Sequence, residues 1–357
     1  YTIASDTTGN IYAAGSLTEG GQYVVGRFSA GSWSIAGNVG FNGYIRSLVC
    51  DADGNLYAAG SFKNDSNQYY VAKWNGTTWN EVGSGANALN PNGEFKCLAC
   101  DNSGNLYAAG FFTNGTSKYY VAKWDGTSWS EVGTLDANNY INDIIVDANG
   151  NLFAAGGFNA PNNIAYIAKW NGSSWSSPGN LSANNYIFDL AADATGNFYA
   201  AGSFTNSSNK PYVAKWDGAT WSEVGAPNGL NASDAIASVA VDALGNIYCG
   251  GYFMNSNNFA YVAKFSAPTT IEETENNFVV SVYPNPFTSE LIVSGAQFTV
   301  PAVVEVFDVT GRKIYAEQYS TSKCTMKTEK WLPGFYSVKI SPDDNTNFKT
   351  VRVIKSN

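Results

Sequence analysis

Residues 51–83, DADGNLYAAGSFKNDSNQYYVAKWNGTTWNEVG, hold one copy of a unit that recurs along most of this chain. The unit contains a D-x-x-G-N turn, an apolar segment rich in small residues, a second apolar segment ending in A-K-W, and a final W-x-E-V-G segment. Asn-Gly and Asp-Gly steps between such segments are strong hairpin signals. Together with the apolar stretch that ends at each turn Asp, the unit predicts four short antiparallel strands.

The unit occurs six times. Its G-N-x-aromatic phrase starts at Gly9, Gly54, Gly104, Gly150, Gly196 and Gly245, at intervals of 45 to 50 residues. Four strands repeated at this spacing are typical of a propeller blade, and no segment shows the 3.6-residue apolar period of a helix. The sequence therefore predicts an all-β fold, with a six-bladed β-propeller of four-stranded blades over residues 1–268.

Tryptophans recur in register with the unit, one at the end of the third strand and one at the start of the fourth. We predict that these rings fill the wide outer space between blades, where burial of large aromatic groups is most stabilising. A platform for stacking sugars is the alternative interpretation. The predicted blade-packing residues are Trp74, Trp79, Trp124, Trp129, Trp170, Trp175, Trp216 and Trp221.

The sixth copy departs from the pattern, because Thr270 stands where the unit at Asp51 has Trp79. A weak fourth strand would leave an unpaired sheet edge, and such edges accept added strands. This predicts a site for homo-oligomer formation through sheet edges.

The pattern changes after the sixth copy. Residues 269–277, TTIEETENN, are polar and acidic, and predict a linker. Residues 278–357 contain alternating apolar and polar segments separated by turn signals. This alternation predicts a small Ig-like antiparallel β-sandwich.

Four motifs in this last segment resemble the type A C-terminal sorting domain of proteins exported by the type IX secretion system of Bacteroidota. They are YPNP at 283–286, GRKIY at 311–315, LPGFY at 332–336 and the closing VRVIK at 351–355. The resemblance implies recognition by the type IX translocon, cleavage by a sortase-like surface protease, and a secreted or cell-surface location. The sorting-motif residues are Tyr283, Pro284, Asn285, Pro286, Gly311, Lys313, Leu332, Pro333, Gly334, Tyr336 and Lys355.

Composition excludes several functions. The chain has no histidine, which removes the usual Ser-His-Asp and Cys-His catalysis and the common zinc and iron ligand sets. Its net charge of -9, without a basic cluster, argues against nucleic acid. No apolar run is long enough to span a bilayer. No repeat adds an acidic cluster to the pattern, so we predict no catalytic residue, no cofactor and no enzyme.

The sequence contains three further candidate sites. Asp51 and Asp53 supply the carboxylates of a calcium loop in one interpretation and of an ordinary Asp turn in the other. The cations of the third strand, Lys73 and its equivalents, lie on one circle if the blades close, or else are solvated and paired locally. Asp6-Thr7-Thr8 matches a short bacterial O-glycosylation pattern at Thr7.

These observations favour a secreted or surface protein that binds a glycan or protein ligand without catalysis. Its variable, Asn-rich loops between second and third strands are the candidate contact surface. A structural subunit of an extracellular assembly or filament is the alternative, and a glycan-active hydrolase ranks last.

Overall fold

The computed structural model describes residues 2–37, 40–147, 149–160, 164–179, 181, 183–225, 229–254, 260–266, 280–295, 302–308, 312–319, 323–342 and 349–356. The chain forms two compact units, Tyr1–Ala267 and Pro268–Asn357. The predicted linker at 269–277 lies outside the described residues. Within the described ranges, none of the helical structure is long and apolar enough to cross a membrane.

The first unit consists of a series of antiparallel sheets, here called the sheet array. Five sheets have four strands each, and the sixth has three among the described residues. A short ribbon and one 3-10 turn, Gly85–Asn87, lie outside the six sheets.

The strands of the first three sheets are β1(Thr2–Ser5), β2(Ile11–Ala14), β5(Gly26–Ser29) and β6(Ser32–Ile35); β7(Ile45–Cys50), β8(Leu56–Gly60), β9(Ala72–Trp74) and β10(Trp79–Glu81); and β11(Phe95–Cys100), β12(Leu106–Gly110), β13(Ala122–Trp124) and β14(Trp129–Glu131). The ribbon is β3(Thr18–Glu19) with β4(Gln22–Tyr23).

The strands of the last three sheets are β15(Ile141–Val146), β16(Leu152–Ala160), β17(Ile164–Trp170) and β18(Trp175–Ser176); β19(Ile187–Ala192), β20(Phe198–Gly202), β21(Ala214–Trp216) and β22(Trp221–Glu223); and β23(Ile236–Val241), β24(Ile247–Met254) and β25(Ala260–Phe265).

Each sheet follows the order of the chain, and the second sheet shows the pattern. The D-x-x-G-N turn closes the first hairpin, because the Gly54 N–H donates to the Asp51 carbonyl at 3.1 Å. In the register of the next pairs, Leu56 lies opposite Trp74 and Trp74 opposite Trp79. The strand alternation therefore places both tryptophans on one face of the sheet.

Hydrophobic cores lie between consecutive sheets. The first strands β1, β7, β11, β15, β19 and β23 pack in series. One core combines Tyr12 and Val25 of the first sheet with Leu48, Leu56 and Phe62 of the second. Equivalent clusters join the later sheets. Face-to-face packing of successive four-stranded meanders is propeller-like.

The ends of the array differ from its interior. Over the described part of the chain, β1 and β23 do not pack on each other as consecutive first strands do. The sixth sheet shows three strands, and the position of Thr270 lies outside the described residues. Six closed four-stranded blades therefore remain a prediction.

The described residues of the second unit form two antiparallel sheets. Their strands are β26(Val280–Tyr283), β27(Glu290–Gly295) and β30(Lys323–Lys327) in one, and β28(Ala302–Asp308), β29(Lys313–Tyr319), β31(Gly334–Pro342) and β32(Lys349–Lys355) in the other. A single core includes Leu291 and Val293 from the first sheet and Val304, Val338 and Val353 from the second. The finer assignment to an Ig-like topology remains a prediction.

Candidate functional site

The YPNP motif is hydrogen bonded to the last strand of the second unit. The Ile354 N–H donates to Asn285 Oδ1 at 2.9 Å, and Asn285 Nδ2 donates to the Arg352 carbonyl at 3.3 Å. One side-chain amide thus pairs with both a donor and an acceptor of β32, as a neighbouring strand would. A carboxylate at position 285 could accept from Ile354 but could not donate to the Arg352 carbonyl.

The residue after the motif is the centre of the same cluster. Phe287 is fully buried, its N–H donates to the Ile354 carbonyl at 2.8 Å, and its carbonyl accepts from the Ser356 N–H at 2.9 Å. The Lys355 ammonium lies 5.8 Å from the Phe287 ring centre and donates to the Thr288 carbonyl. This buried cation therefore has both a ring face and a carbonyl as partners.

The LPGFY motif completes the cluster. The Tyr336 hydroxyl donates to the Leu332 carbonyl at 2.6 Å, and the Tyr336 ring lies 6.2 Å from that of Phe287. Gly334 has φ +150°, a conformation that L side chains rarely adopt. The motifs YPNP, LPGFY and VRVIK, which are far apart in sequence, thus come together.

Around this cluster the surface is apolar. Tyr283, Leu332, Phe335 and Ile354 are exposed, and Phe335 lies opposite Ile354 in the strand register. Pro284, Pro286 and Pro333 are exposed as well. We call the surface formed by these seven residues the motif rim.

The fourth motif is described in part. Gly311 lies outside the described residues, whereas Lys313 forms an ion pair with Glu305 at 2.9 Å. Lys339 approaches the same carboxylate at 3.7 Å. The hydrogen bond from Lys313 is the main reason that the pKa of Glu305 is below its usual value. Lys313 thus acts within its own sheet, away from the cluster.

The eight tryptophans predicted to pack between blades are buried or half-buried in the sheet array. The two rings of each pair have centroids 5.5 to 5.7 Å apart. The fourth-strand indoles donate to carbonyls of the preceding sheet: Trp79 to Ala36, Trp129 to Val82, Trp175 to Val132 and Trp221 to Pro178. Each of these four indoles therefore links its own sheet to the preceding one.

A glycine shortly after the fourth strand leaves room for a large ring of the next sheet, which is a tryptophan for the first four sheets and Phe265 for the fifth. Gly37 has φ +85°, and a Cβ there would lie 2.6 Å from Cζ3 of Trp74. Any larger residue would displace the ring. The glycine at this repeat position is therefore part of the contact between sheets.

The carboxylates of the D-x-x-G-N turns are occupied by internal donors. Asp51 accepts from the N–H groups of Asp53 and Asn55, from Asn55 Nδ2 and from the Tyr57 hydroxyl. In Asp193, burial opposes ionisation, but hydrogen bonds from Asn197 and Thr195 lower the pKa to about 2. Groups of three or more metal-ligating side chains are absent from the described residues. The calcium interpretation of Asp51 and Asp53 gains no support from this arrangement.

The third-strand lysines lie over aromatic rings of the second strand. The distances from the ammonium to the ring centre are 5.3 Å for Lys73 over Tyr57 and 5.7 Å for Lys123 over Tyr107, and Lys169, Lys215 and Lys264 follow the same pattern. Each lysine thus has a local partner within its own sheet. Thr7 is exposed in the first turn.

One acidic pair lies outside the predicted site residues. Asp143 and Asp189, at the same position of consecutive repeats, have carboxyls hydrogen bonded to each other. Burial and the nearby Asp189 charge raise the pKa of Asp143 well above its usual value, and burial raises that of Asp189. Each of the two repeats contributes one carboxyl to this pair, which forms because the repeats lie side by side.

The role of this pair is visible in neighbouring repeats. The Leu190 N–H donates to Asp143 at 2.8 Å and the Val239 N–H to Asp189 at 2.7 Å. Thr2 and Ser47, at the equivalent positions, accept from Leu48 and Leu98 at 3.0 Å. The aspartates thus replace hydroxyls in a bond between first strands. In the sequence, the pair could be recognised because Asp stands at a repeat position where Thr2 and Ser47 carry hydroxyls.

Comparison with protein families identifies the second unit. Residues 281–355 match the family described as the secretion system C-terminal sorting domain. A protein with this domain is exported by the type IX route to the cell surface or the extracellular space. No curated protein matches the chain.

Among solved structures, PorZ of Porphyromonas gingivalis, an essential surface component of the type IX secretion system, is 15% identical with a TM-score of 0.45. The alignment covers 99% of this chain and 59% of the PorZ chain. The gluconolactonase XC5397 of Xanthomonas campestris is 11% identical over 70% of this chain and 82% of its own, with a TM-score of 0.44. Similarity at this level does not assign either protein's activity to this chain.

Proposed function

We propose that this chain is a non-catalytic binding or adhesion protein, delivered to the cell surface or released by type IX export. The observation that carries the proposal is the sorting-domain match at 281–355, in which three separate motifs form one cluster around Phe287. The six repeats provide a propeller-type scaffold, and the second unit provides the export signal.

The motif rim is the surface that the translocon and a sortase-like protease are proposed to recognise. Its exposed apolar side chains, including Leu332 and Phe335, surround an interior fixed by the Asn285 and Phe287 bonds. Exposed apolar patches on a rigid base are typical of protein recognition sites.

The ligand surface is proposed to be the loop ends between second and third strands. In the second sheet the Asn64 Oδ1 accepts from the Ser66 and Gln68 N–H groups, and Asn64 Nδ2 donates to Glu81. Asn114 and Glu131 repeat this arrangement in the third sheet. Short polar turns held in this way offer amide and hydroxyl groups at fixed positions, which suits glycan or protein ligands.

Two features support a role without catalysis. The sequence has no histidine, and the turn carboxylates accept hydrogen bonds from their own repeats. The acidic pair Asp143 and Asp189 is engaged by backbone N–H groups of the following sheet. These carboxyls therefore have structural partners where a glycosidase would need groups open to substrate.

The role of the second unit as an export signal is tested by expressing the protein in a bacterium with a type IX system. We expect the full chain to reach the surface or the medium, and the Asn285→Ala and Lys355→Ala variants to accumulate in the periplasm. The matched control is Lys327→Ala, at an exposed position of β30 that lies outside the four motifs. Equal export of all four proteins would contradict the proposed role of the cluster.

The binding role is tested separately on a glycan array and on fixed host cells, with the full chain as probe. We expect saturable binding that the double variant Asp65→Ala, Asn67→Ala reduces at least several-fold, because both residues lie at an exposed loop tip. Release of reducing sugar from array glycans would instead favour a hydrolase. Absence of binding to both surfaces would contradict a ligand-binding role.

A further inference from the structure

Every sheet of the array has two different faces. Its leading face packs on the preceding sheet, and its trailing face packs on the following sheet. In the second sheet Leu48, Leu56 and Phe62 lie on the leading face, whereas Tyr57 and Val71 lie on the trailing face. All five internal contacts of the array join one trailing face to one leading face.

The first sheet exposes its leading face. Ile3 is 75% exposed, whereas Leu48, at the same repeat position, is 6% exposed. Ile11, Leu17 and Trp33 are exposed too, at positions that hold buried or half-buried Leu, Phe and Trp in the second sheet. A face of the kind covered everywhere else in the array is uncovered here.

The sixth sheet exposes its trailing face. Val262 is 69% exposed, whereas its equivalent Val71 is 2% exposed. Along β24 the burial alternates, with Ile247, Cys249 and Phe253 buried and Tyr252 and Met254 exposed. The buried set faces the fifth sheet, so the exposed set defines the opposite face.

We infer that the leading face of the first sheet docks on the trailing face of the sixth sheet in a second copy of this chain. The two surfaces are the same complementary pair that meets at the five internal contacts, so each copy holds one half of a sixth contact. Because the halves differ, the association is head-to-tail, and it produces rings or open chains of copies.

Hydrogen bonds between the first strands of consecutive sheets indicate a further bond between the two copies. Within the array, a polar side chain of one first strand accepts the N–H of an apolar residue in the next, as Thr2 does from Leu48 and Asp189 from Val239. Ser238 is the residue at this position in the sixth sheet, and Ile3 is the apolar residue in the first. The contact between copies would pair the Ser238 hydroxyl with the Ile3 N–H.

The two faces do not cover each other within the described part of the molecule. There, β1 and β23 do not pack on each other as consecutive first strands do, and Ile3 and Val262 are both largely exposed. A monomer that leaves both faces in water forgoes the burial of several large apolar side chains. This inference does not depend on the ligand-binding role.

The test uses the full chain and two variants with one blocked face each. Ile3→Glu blocks the leading face, Val262→Lys blocks the trailing face, and Ser130→Glu, on an exposed position of β14, is the matched control. Sedimentation velocity over a range of concentrations should show growing assemblies for the unmodified chain and for the control, and monomers for each blocked variant. An equimolar mixture of the two blocked variants should give a species of two chains and no larger one.

Circular dichroism establishes that each variant is folded before its assembly is compared. A monomeric unmodified chain at every concentration would overturn the inference. So would assemblies that survive in each blocked variant, since another surface would then be responsible. Closure within one chain would appear as a monomer whose melting temperature falls in each blocked variant, with no dimer in the mixture.

Discussion

Trp175 and Val132 join two sheets through one hydrogen bond: the indole N–H of Trp175 donates to the Val132 carbonyl at 2.7 Å across the contact between the fourth and third sheets. The side chain of Trp175 is buried, so both the ring and its N–H contribute to the contact.

Removal of this hydrogen bond should destabilise the array. Trp175→Phe leaves the buried Val132 carbonyl without its donor, at an expected cost of about 1–3 kcal/mol in the free energy of unfolding. Trp175→Ala also leaves a cavity, at about 3–5 kcal/mol. Chemical denaturation followed by circular dichroism measures both. The control is Trp33→Phe, at the equivalent position of the first sheet, where the ring is 59% exposed.

At low protein concentration the Trp33→Phe change should cost less than about 0.5 kcal/mol, as exposed substitutions do. Equal costs at Trp33 and Trp175 would contradict a contribution from the contact between sheets.

The Asp143 and Asp189 pair should make stability fall as pH rises. Burial and the Asp189 charge raise the pKa of Asp143 in the folded state, so the folded protein holds a proton that the unfolded chain releases above a pKa of about 3.9. Its stabilising contribution is present below that value and is lost as pH rises toward the folded-state pKa. Asp143→Asn, which stays neutral, should therefore be more stable than the unmodified chain at pH 7 and nearly equal to it at pH 3. Thermal unfolding across this range measures the difference.

Asp125 provides a comparison of opposite sign. Hydrogen bonds from Thr127 and Ser128 lower its pKa to about 2, so its contribution is present above the unfolded-state pKa and is lost as pH falls through about 2. Asp125→Asn should reduce the melting temperature at pH 7 and have less effect near pH 2. A gain in stability at pH 7 for Asp125→Asn, or a loss for Asp143→Asn, would contradict these assignments.

Calcium should not be required for the fold. The Asp51 carboxylate already accepts four hydrogen bonds from its own repeat, whereas calcium prefers six to eight oxygen ligands. The melting temperature should be unchanged within about 1 °C by excess EGTA, while Asp51→Ala should lower it. A decrease of several degrees with EGTA, restored by added calcium, would establish the calcium interpretation of Asp51 and Asp53.

Phe287 should be essential to the second unit alone. Phe287→Ala removes a fully buried ring from the motif cluster and should cost about 3–5 kcal/mol in that unit's free energy of unfolding. The transition of the array should stay where it is, because Phe287 belongs to a separate core. Differential scanning calorimetry would resolve the two transitions. Deletion of residues 278–357 should likewise leave a folded array, and an unfolded array after this deletion would contradict the predicted domain division.

Much of the architecture follows from features that the sequence repeats. The D-x-x-G-N turn, the A-K-W strand end and the V-G step each correspond to a contact that occurs in several sheets, as Gly83 with Trp124 shows. The YPNP and VRVIK motifs indicated the second unit in the same way. Their mutual contact through Asn285 could not be predicted, because no local pattern tells which strand a distant amide will face.

Other features depend on position within the array. Ile3 and Leu48 are equivalent in the sequence, and only the presence of a preceding sheet buries one of them. Asp143 and Asp189 are 46 residues apart. Their contact requires that β15 and β19, the first strands of two different sheets, lie side by side. Such relationships between repeats are absent from the pattern of any single repeat.

Each core of the array is shared by two neighbouring sheets. The unfolding of one sheet therefore affects the others only through its immediate neighbours. The outermost sheets have one such neighbour and the inner ones two, so the free energy of local opening should rise toward the middle. Amide hydrogen exchange in a dilute sample would then record a gradient, with the fastest exchange in β1 and β25 and the slowest in β12 and β16. The protein would fray from its ends as a short one-dimensional polymer does.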